Sequence, residues 1–304
     1  MDFITGRNNL ACTIFVPFDC NNKCPFCTSK EMYSNGKFKL DIDAIIESVV
    51  KINHNTDIQE YVLTGGEPFA NLPILKKIVN VANKPIFINT TLPLHNGDID
   101  EIIDYINNEE KIKGINISRH IGFNFTGVAD LNMIDRIEKP IRINTVMPKN
   151  VPLKIEKGIN ILVFEDFMKN FYKFVEEWGN EKRLINLRAD YSKITFENLK
   201  SFDIVEQHLA TKYRHMGGGG CLVCNTVLFD AGKCFIQYHR GKMYSSVTMG
   251  DNKTYINDVI MAMDGTIYPD WSFEADKKFN EWVYRHYYIA LVTHGLNIKN
   301  KVTI

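Results

Sequence analysis

Two hydrophobic rhythms alternate along the first two thirds of the chain. Short, mostly apolar runs such as Leu10–Val16, Tyr61–Leu63 and Ile86–Ile88 have the character of strands buried on both faces. Between them, apolar residues recur at helical spacing. Ile42, Ile45, Ile46, Val49 and Val50 fall on one stripe behind Asp41, a residue suited to cap a helix N-terminus. A second helix is expected from Asn71 to Ala82, stopped near Lys84-Pro85. Asp98, with Glu101 three residues on, signals a third, which carries Ile99, Ile102, Ile103 and Ile106. A short helical stretch follows around Asp130 to Arg136. A longer amphipathic helix carries Phe164, Phe167, Met168, Phe171, Val175 and Trp178, with Gly179 just past its end. The later strands are Ile115–Ser118, Ile141–Val146 and Leu184–Tyr191.

Six alternations of strand and helix predict an α/β fold, a parallel sheet with helices outside. The later strands are not apolar on both faces. Asn116, Ser118 and His120 alternate with Ile115, Ile117 and Arg119; Arg142 and Asn144 alternate with Ile141 and Ile143. Asn186, Arg188 and Asp190 alternate with Leu187 and Ala189. Polar side chains on one face of three successive strands predict an interior lined for a polar ligand.

Beyond about residue 195 the alternation stops, which divides the chain into a first domain, 1–194, and a C-terminal α+β extension, 195–304. One more helix is expected over 196–210. Four glycines, Gly217 to Gly220, suggest a flexible joint or close backbone approach; no Lys-Ser/Thr follows to make a phosphate loop. A hairpin is expected at 228–233, ending at Cys234, and two short strands around an Asp264-Gly265 turn at 260–270. Phe279, Trp282, Val283, Tyr287, Ala290 and Leu291 form the stripe of a final packing helix.

Composition narrows the function. Charges balance to zero at a pI near 7.1, so nothing favours nucleic acid or an anionic membrane as partner. No apolar stretch approaches the roughly 18 residues of a membrane span, and the first residues lack a secretory signal, so a cytoplasmic protein is expected. The seven cysteines are too few and too clustered for a disulfide scaffold and point to metal or redox work. Cys12, inside an apolar run, reads as a buried inert thiol.

Cys20, Cys24 and Cys27 are spaced so that one loop turns three thiolates toward one point, with no fourth cysteine at matching distance. On a cubane iron–sulfur cluster, three such ligands leave one iron open, and an open position marks a catalytic metal. The second feature, Thr64-Gly65-Gly66-Glu67-Pro68-Phe69, directly follows a strand-like run. Its glycines allow close approach of a ligand to backbone, and its carboxylate is suited to a cation such as an amine.

Together, in this order, the two motifs resemble those of the radical S-adenosylmethionine (SAM) superfamily. The resemblance covers roughly the first 190 residues. It implies a partial (β/α)6 barrel of parallel strands, with active residues at the C-terminal ends of the strands. It also implies a [4Fe-4S] cluster on Cys20, Cys24 and Cys27, with SAM chelated to the open iron. Gly65, Gly66, Glu67 and Pro68 would hold the methionine amino group, and Phe26 would sit by the adenine. Ser118, Arg119, Arg142 and Asn144 are candidates for the SAM carboxylate and ribose, and Thr90 for a contact from the third strand. Arg188, Asp190 and His120 are candidates for the substrate side. The implied chemistry is reductive cleavage of SAM to a 5′-deoxyadenosyl radical that abstracts a substrate hydrogen atom. A flavodoxin- or ferredoxin-type electron donor is implied with it.

The C-terminal extension resembles a reduced SPASM or twitch domain, which carries an auxiliary cluster. It offers Cys221, Cys224 and Cys234, with Asp270 where those domains end a similar hairpin in Pro-Cys. A second [4Fe-4S] cluster, a zinc site completed by His215, His239 or an aspartate, and unmetallated thiols are the three readings. Relatives with such extensions often modify peptides, so a ribosomally made peptide is the expected substrate. The first strand begins within about ten residues, which leaves no room for a leader-binding domain ahead of it and weighs against that expectation. A small polar metabolite such as a sugar or nucleoside is the alternative. A non-catalytic iron–sulfur electron carrier is a third reading, against which the Gly-Gly-Glu-Pro turn argues.

Overall fold

The protein is described from a computed structural model over residues 2–6, 9–16, 18–24, 27, 38–94, 98–148, 151, 161–188, 204–218, 226–239, 246–248, 252–271 and 273–293. After a short strand β1 (Asp2–Thr5), β2 (Leu10–Val16) is buried along its whole length, as its apolar run requires. Then come β3 (Ile58–Gly65), β4 (Ile86–Thr90), β5 (Ile112–Ser118), β6 (Ile141–Val146) and β7 (Arg183–Arg188). β2 to β7 pair with one another in sequence order, all parallel. The expected polypeptide scheme, an α/β sheet compatible with a partial barrel, is the one observed.

The intervening helices are α1 (Ile42–Ile52), α2 (Leu72–Val81), α3 (Ile99–Asn108), a single turn α4 (Leu131–Ile134) and α5 (Ile161–Trp178). Their starts follow the sequence signals. Asp41 accepts from Ala44 N, Asn71 from Ile74 N and Asp98 from Asp100 N, so each side chain satisfies one of the N–H groups a helix leaves unpaired. The helices lie against one face of the sheet. Ile45, Val49, Leu75, Ile78, Ile102 and Phe171 pack there on Cys12, Ile14, Leu63, Ile88, Ile117 and Ile143, all nearly or wholly buried.

The C-terminal segments α6 (Ile204–Lys212), β8 (Arg214–Gly218), β9 (Thr226–Asp230), β10 (Phe235–His239), β11 (Ser246–Thr248), β12 (Lys253–Ile256), β13 (Asp258–Met261), β14 (Ile267–Tyr268) and α7 (Lys277–Thr293) complete both sides of the same sheet. β10 adds parallel to β7, with β9 and β8 antiparallel beyond it. β13 adds parallel to β2, with β14 antiparallel outside it. The result is one sheet of eleven strands in the order β14-β13-β2-β3-β4-β5-β6-β7-β10-β9-β8. β1, β12 and β11 form a separate small sheet.

Both expected hairpins are present. Gly265 has φ +76° in the turn between β13 and β14, a left-handed conformation that favours glycine. Of the four glycines, Gly217 and Gly218 are in β8, and the other two lie outside the described residues. The final helix is tied to the first: Asn55 Nδ2 donates to Val283 O at 2.7 Å, Tyr284 Oη donates to Ser48 Oγ, and Arg285 pairs with Asp57. Among the described residues no helix is long and apolar enough to cross a membrane.

Candidate functional site

Strand register decides which side chains share the face away from the helices. Asn89 pairs with Asn116, and Asn116 with Arg142; Ser118 pairs with Asn144, and Asn144 with Asn186. Val146 pairs with Arg188 and Arg188 with His239. Residues that pair, or that lie two apart on a strand, point to the same side, so all of these share one face. Their side chains also bond across it. Asn116 Nδ2 donates to Asn89 Oδ1 at 2.8 Å, and Asn186 Nδ2 to Asn144 Oδ1 at 2.6 Å. The alternation read from the sequence is thus a polar inner face from β4 to β10. Toward β2 and β13 this face turns apolar, where Phe15, Phe38, Ile260, Met263 and Tyr268 cluster. Burial and the neighbouring Arg188 both lower the pKa of Arg142, and the charge of Glu60 on β3 partly offsets this.

The cysteine loop leaves the C-terminal end of β2. Cys20, Cys24 and Cys27 are of intermediate burial, and Cys27 N donates to Cys24 O at 3.2 Å. Burial raises the pKa of Cys20, the charges of Glu67 and Cys27 add to that rise, and bonds from Asn22 oppose it. Cys20 therefore lies within electrostatic reach of both. Among the described residues no three His, Cys, Asp or Glu side chains meet closely enough to hold one metal ion. A cubane does not ask for that, because each cysteine binds a different iron. Phe26 lies outside the described residues.

The glycine turn at the end of β3 supports the start of this loop. Gly65 has φ +122°, which favours glycine, and a Cβ on Gly66 would fall on the Phe18 carbonyl. Glu67 N donates to that same carbonyl at 3.3 Å. Pro68 starts the 3₁₀ turn Pro68–Asn71 that leads into α2. The donor chemistry and this close approach fit a three-cysteine iron–sulfur cluster with a ligand held at the glycine turn.

Glu67 is buried, and its carboxylate takes four hydrogen bonds. Oε1 accepts from Phe69 N at 3.1 Å and Thr90 Oγ1 at 2.6 Å; Oε2 accepts from Thr91 N and Thr91 Oγ1, both at 2.7 Å. Burial raises its pKa although all four donors oppose the rise. The sequence offered this carboxylate to an incoming amine; in the structure its four acceptor positions are taken by Phe69, Thr90 and Thr91. Thr91 was missed from sequence, and only its place just beyond β4 pointed to it.

Arg119 is separated from the other SAM candidates. It follows Ser118, so it points to the opposite side, where it donates to the carbonyls of Thr91 (2.9 Å), Ser118 (2.7 Å) and Ala129 (2.6 Å). Its guanidinium stacks over Trp178 of α5 and Phe125. Burial lowers its pKa to about 10, partly offset by Glu67. With His120 it borders an open groove of about 1,040 Å³ between the loop after β5 and α5. His120 Nδ1 accepts from Val146 N at 3.2 Å, and burial with Arg119 and Arg188 lowers its pKa to about 3, so it is neutral at pH 7.

Of the second cysteine group only Cys234 is among the described residues. Cys221, Cys224 and Asp190 lie outside them. Cys234 immediately precedes β10 and is buried at the end of α5, where a Cβ on Gly179 would approach its Sγ to 2.6 Å. Asp270 follows β14, at the opposite edge of the sheet, and accepts from Ser246 Oγ at 3.4 Å.

Comparison with known proteins matches residues 14–147 to the Radical SAM superfamily. A curated relative, the probable GTP 3′,8-cyclase of Thermoplasma volcanium, is 28% identical over 207 residues, covering 67% of this chain and 60% of its own length. The chain thus spans less than two thirds of that relative. Among solved structures, anSMEcpe with bound AdoMet is similar at 15% identity and TM-score 0.41, over 62% of this chain and 54% of that one. Streptococcus suis SuiB bound to precursor peptide SuiA is similar at 16% identity and TM-score 0.40, over 67% and 46%. The cysteine loop and the glycine turn both lie inside the span, residues 14–147, that is similar to the Radical SAM superfamily.

Proposed function

We propose that this protein is a radical SAM enzyme that activates a C–H bond of a small polar metabolite. The observation that carries the substrate class is the inner face, where Asn89, Asn116, Asn144 and Asn186 line up beside Arg142 and Arg188 across four parallel strands. A face of this kind recognises a ligand rich in hydroxyl, carbonyl or anionic groups. That the curated relative is named for a reaction of GTP, itself a polar small molecule, supports the same class.

A [4Fe-4S] cluster with SAM, when bound at Cys20, Cys24 and Cys27, supplies reductive cleavage of SAM and the radical that takes a hydrogen atom from substrate carbon. The chain's own residues orient and shield. Gly65 and Gly66 present bare backbone beside the cysteine loop, to receive the amino group of SAM. Glu67 fixes that turn through Thr90 and Thr91. Ser118, Arg142 and Asn144 offer a hydroxyl, a cation and an amide to the carboxylate and ribose. The apolar cluster around Phe15 and Met263 keeps water from the reacting carbon.

A ribosomal peptide, the substrate expected from sequence, has no comparable support in the inner face. An auxiliary cluster on Cys221, Cys224 and Cys234 is no part of this reading; Cys221 and Cys224 lie outside the described residues.

The test is anaerobic reconstitution followed by incubation with SAM and a strong reductant. Formation of 5′-deoxyadenosine that Cys20→Ala abolishes supports the reading. Candidate nucleosides, sugars and their phosphates are then screened for deuterium transfer into 5′-deoxyadenosine. Cleavage stimulated only by a peptide overturns the substrate class.

A further inference from the structure

The inner face does not end at β7. His239 on β10 is paired with Arg188 on one side and with Thr226 of β9 on the other. The row Val146, Arg188, His239, Thr226 therefore runs across the C-terminal ends of β6, β7 and β10, at the same end of the parallel strands as the cysteine loop. One step below, Asn186 is paired with Asn144 and with Gln237.

Three side chains in these rows are more than nine-tenths buried: Asn186 at 0%, Thr226 at 3% and His239 at 8% exposure. Each presents a polar atom, Asn186 Oδ1, Thr226 Oγ1 and His239 Nε2, that has no hydrogen-bond partner among the described residues. Leaving such atoms dry and unpaired is costly, so three of them side by side mark a place where something polar binds. The electrostatics say what kind. Burial lowers the pKa of His239 to about 2, and the charges of Arg188 and Arg142 add to that. The field here is positive, with Glu60 on β3 offsetting part of Arg142. A neutral imidazole and a hydroxyl can both donate, and an arginine beside them supplies charge.

We infer that Arg188, His239 and Thr226 form a subsite that anchors an anionic group of the substrate, a phosphate or a carboxylate, while Asn186 Oδ1 beside it accepts from a hydroxyl of the same substrate. This rests on the small-metabolite reading above and makes the metabolite an acid or a phosphate ester. Arg142 is left to SAM. His239 and Thr226 lie on β10 and β9, so the C-terminal strands share substrate anchoring with Arg188 of β7.

The test is calorimetric titration of the reconstituted full chain, with and without SAM, using inorganic phosphate and, separately, acetate. The expected result is saturable uptake of one anion per chain, weakened at least about tenfold in Arg188→Gln and measurably in Thr226→Val, a near-isosteric change. Preference for phosphate marks a phosphate ester and preference for acetate a carboxylic acid. Saturable binding of neither anion, or variants that bind as the wild type does while unfolding at the same temperature, overturns the subsite. SAM binding, titrated on the same samples, tests the radical SAM reading separately. An anion site that persists when SAM fails to bind stands without it.

Discussion

Thr91 donates twice to a single oxygen of Glu67, from its backbone nitrogen and from its hydroxyl, both at 2.7 Å. The other oxygen receives the backbone N–H of Phe69 and the hydroxyl of Thr90. Each oxygen thus serves one backbone donor and one hydroxyl, and the carboxylate fastens the glycine turn after β3 to the end of β4.

Glu67→Gln will test this fastening. Whichever oxygen becomes an NH₂ group, one backbone N–H loses its acceptor and faces a donor instead. A loss of roughly 1–3 kcal/mol is expected, the cost of a buried polar group left unsatisfied. Urea unfolding measures it, and an unchanged midpoint would refute the role.

Gly66→Ala should act on the metal rather than on global stability. The new methyl falls on the Phe18 carbonyl, which must move and carry the cysteine loop with it. Iron per chain after reconstitution should fall well below the roughly four of a cubane, with the secondary structure kept. Full iron loading would show that the loop tolerates the shift.

Much of this was legible in the sequence. Asp41, Asn71 and Asp98 start helices because a short polar side chain before an apolar stripe satisfies free N–H groups. The alternation of Asn144 with Ile143 disclosed a polar face because pleated strands send neighbours to opposite sides. That rule also separates Ser118 from Arg119, which cannot both face inward, and the structure turns Arg119 to Trp178. Thr91 was hidden because a carboxylate's partners depend on which loop folds over it. Thr226, and the place of His239 on the inner face, were hidden because β10 pairs with β7 across some 46 residues, and nothing in the sequence says which strands will be neighbours.

Acidification should destabilise the protein through its buried histidines. His120 and His239 take a proton only near pH 3 and pH 2 in the folded chain, against about 6.5 when unfolded. Between those values the unfolded state binds more protons, so stability is full above pH 6.5 and falls as pH falls. At pH 5 each contributes a loss of about 2 kcal/mol relative to pH 7. Urea unfolding of the metal-free chain at pH 7 and pH 5, compared with a His120→Gln, His239→Gln double variant, measures it. The variant should show the shallower pH dependence; equal slopes would refute the assignment.

A chain cut after residue 194 should not fold cooperatively. The cut removes β10 from β7 and β13 from β2, exposing both edges of the parallel sheet. It also strips Phe229, Ile236, Tyr238 and Val259 from the core. Thermal unfolding followed by circular dichroism should lose its sigmoidal transition. A sharp transition near that of the full chain would make residues 1–194 an independent domain.

The place of β13 also has a consequence in time. Asp258 accepts from Thr13 Oγ1 at 2.9 Å although 245 residues separate them. A ribosome adding about 5–20 residues per second needs roughly 12–50 s to cover that distance. During that interval the strand leading into the cysteine loop has emerged and lacks its outer neighbour. Iron delivered while the chain is still growing would meet the three thiols on a half-framed strand, whereas iron delivered after release would meet them on a finished sheet.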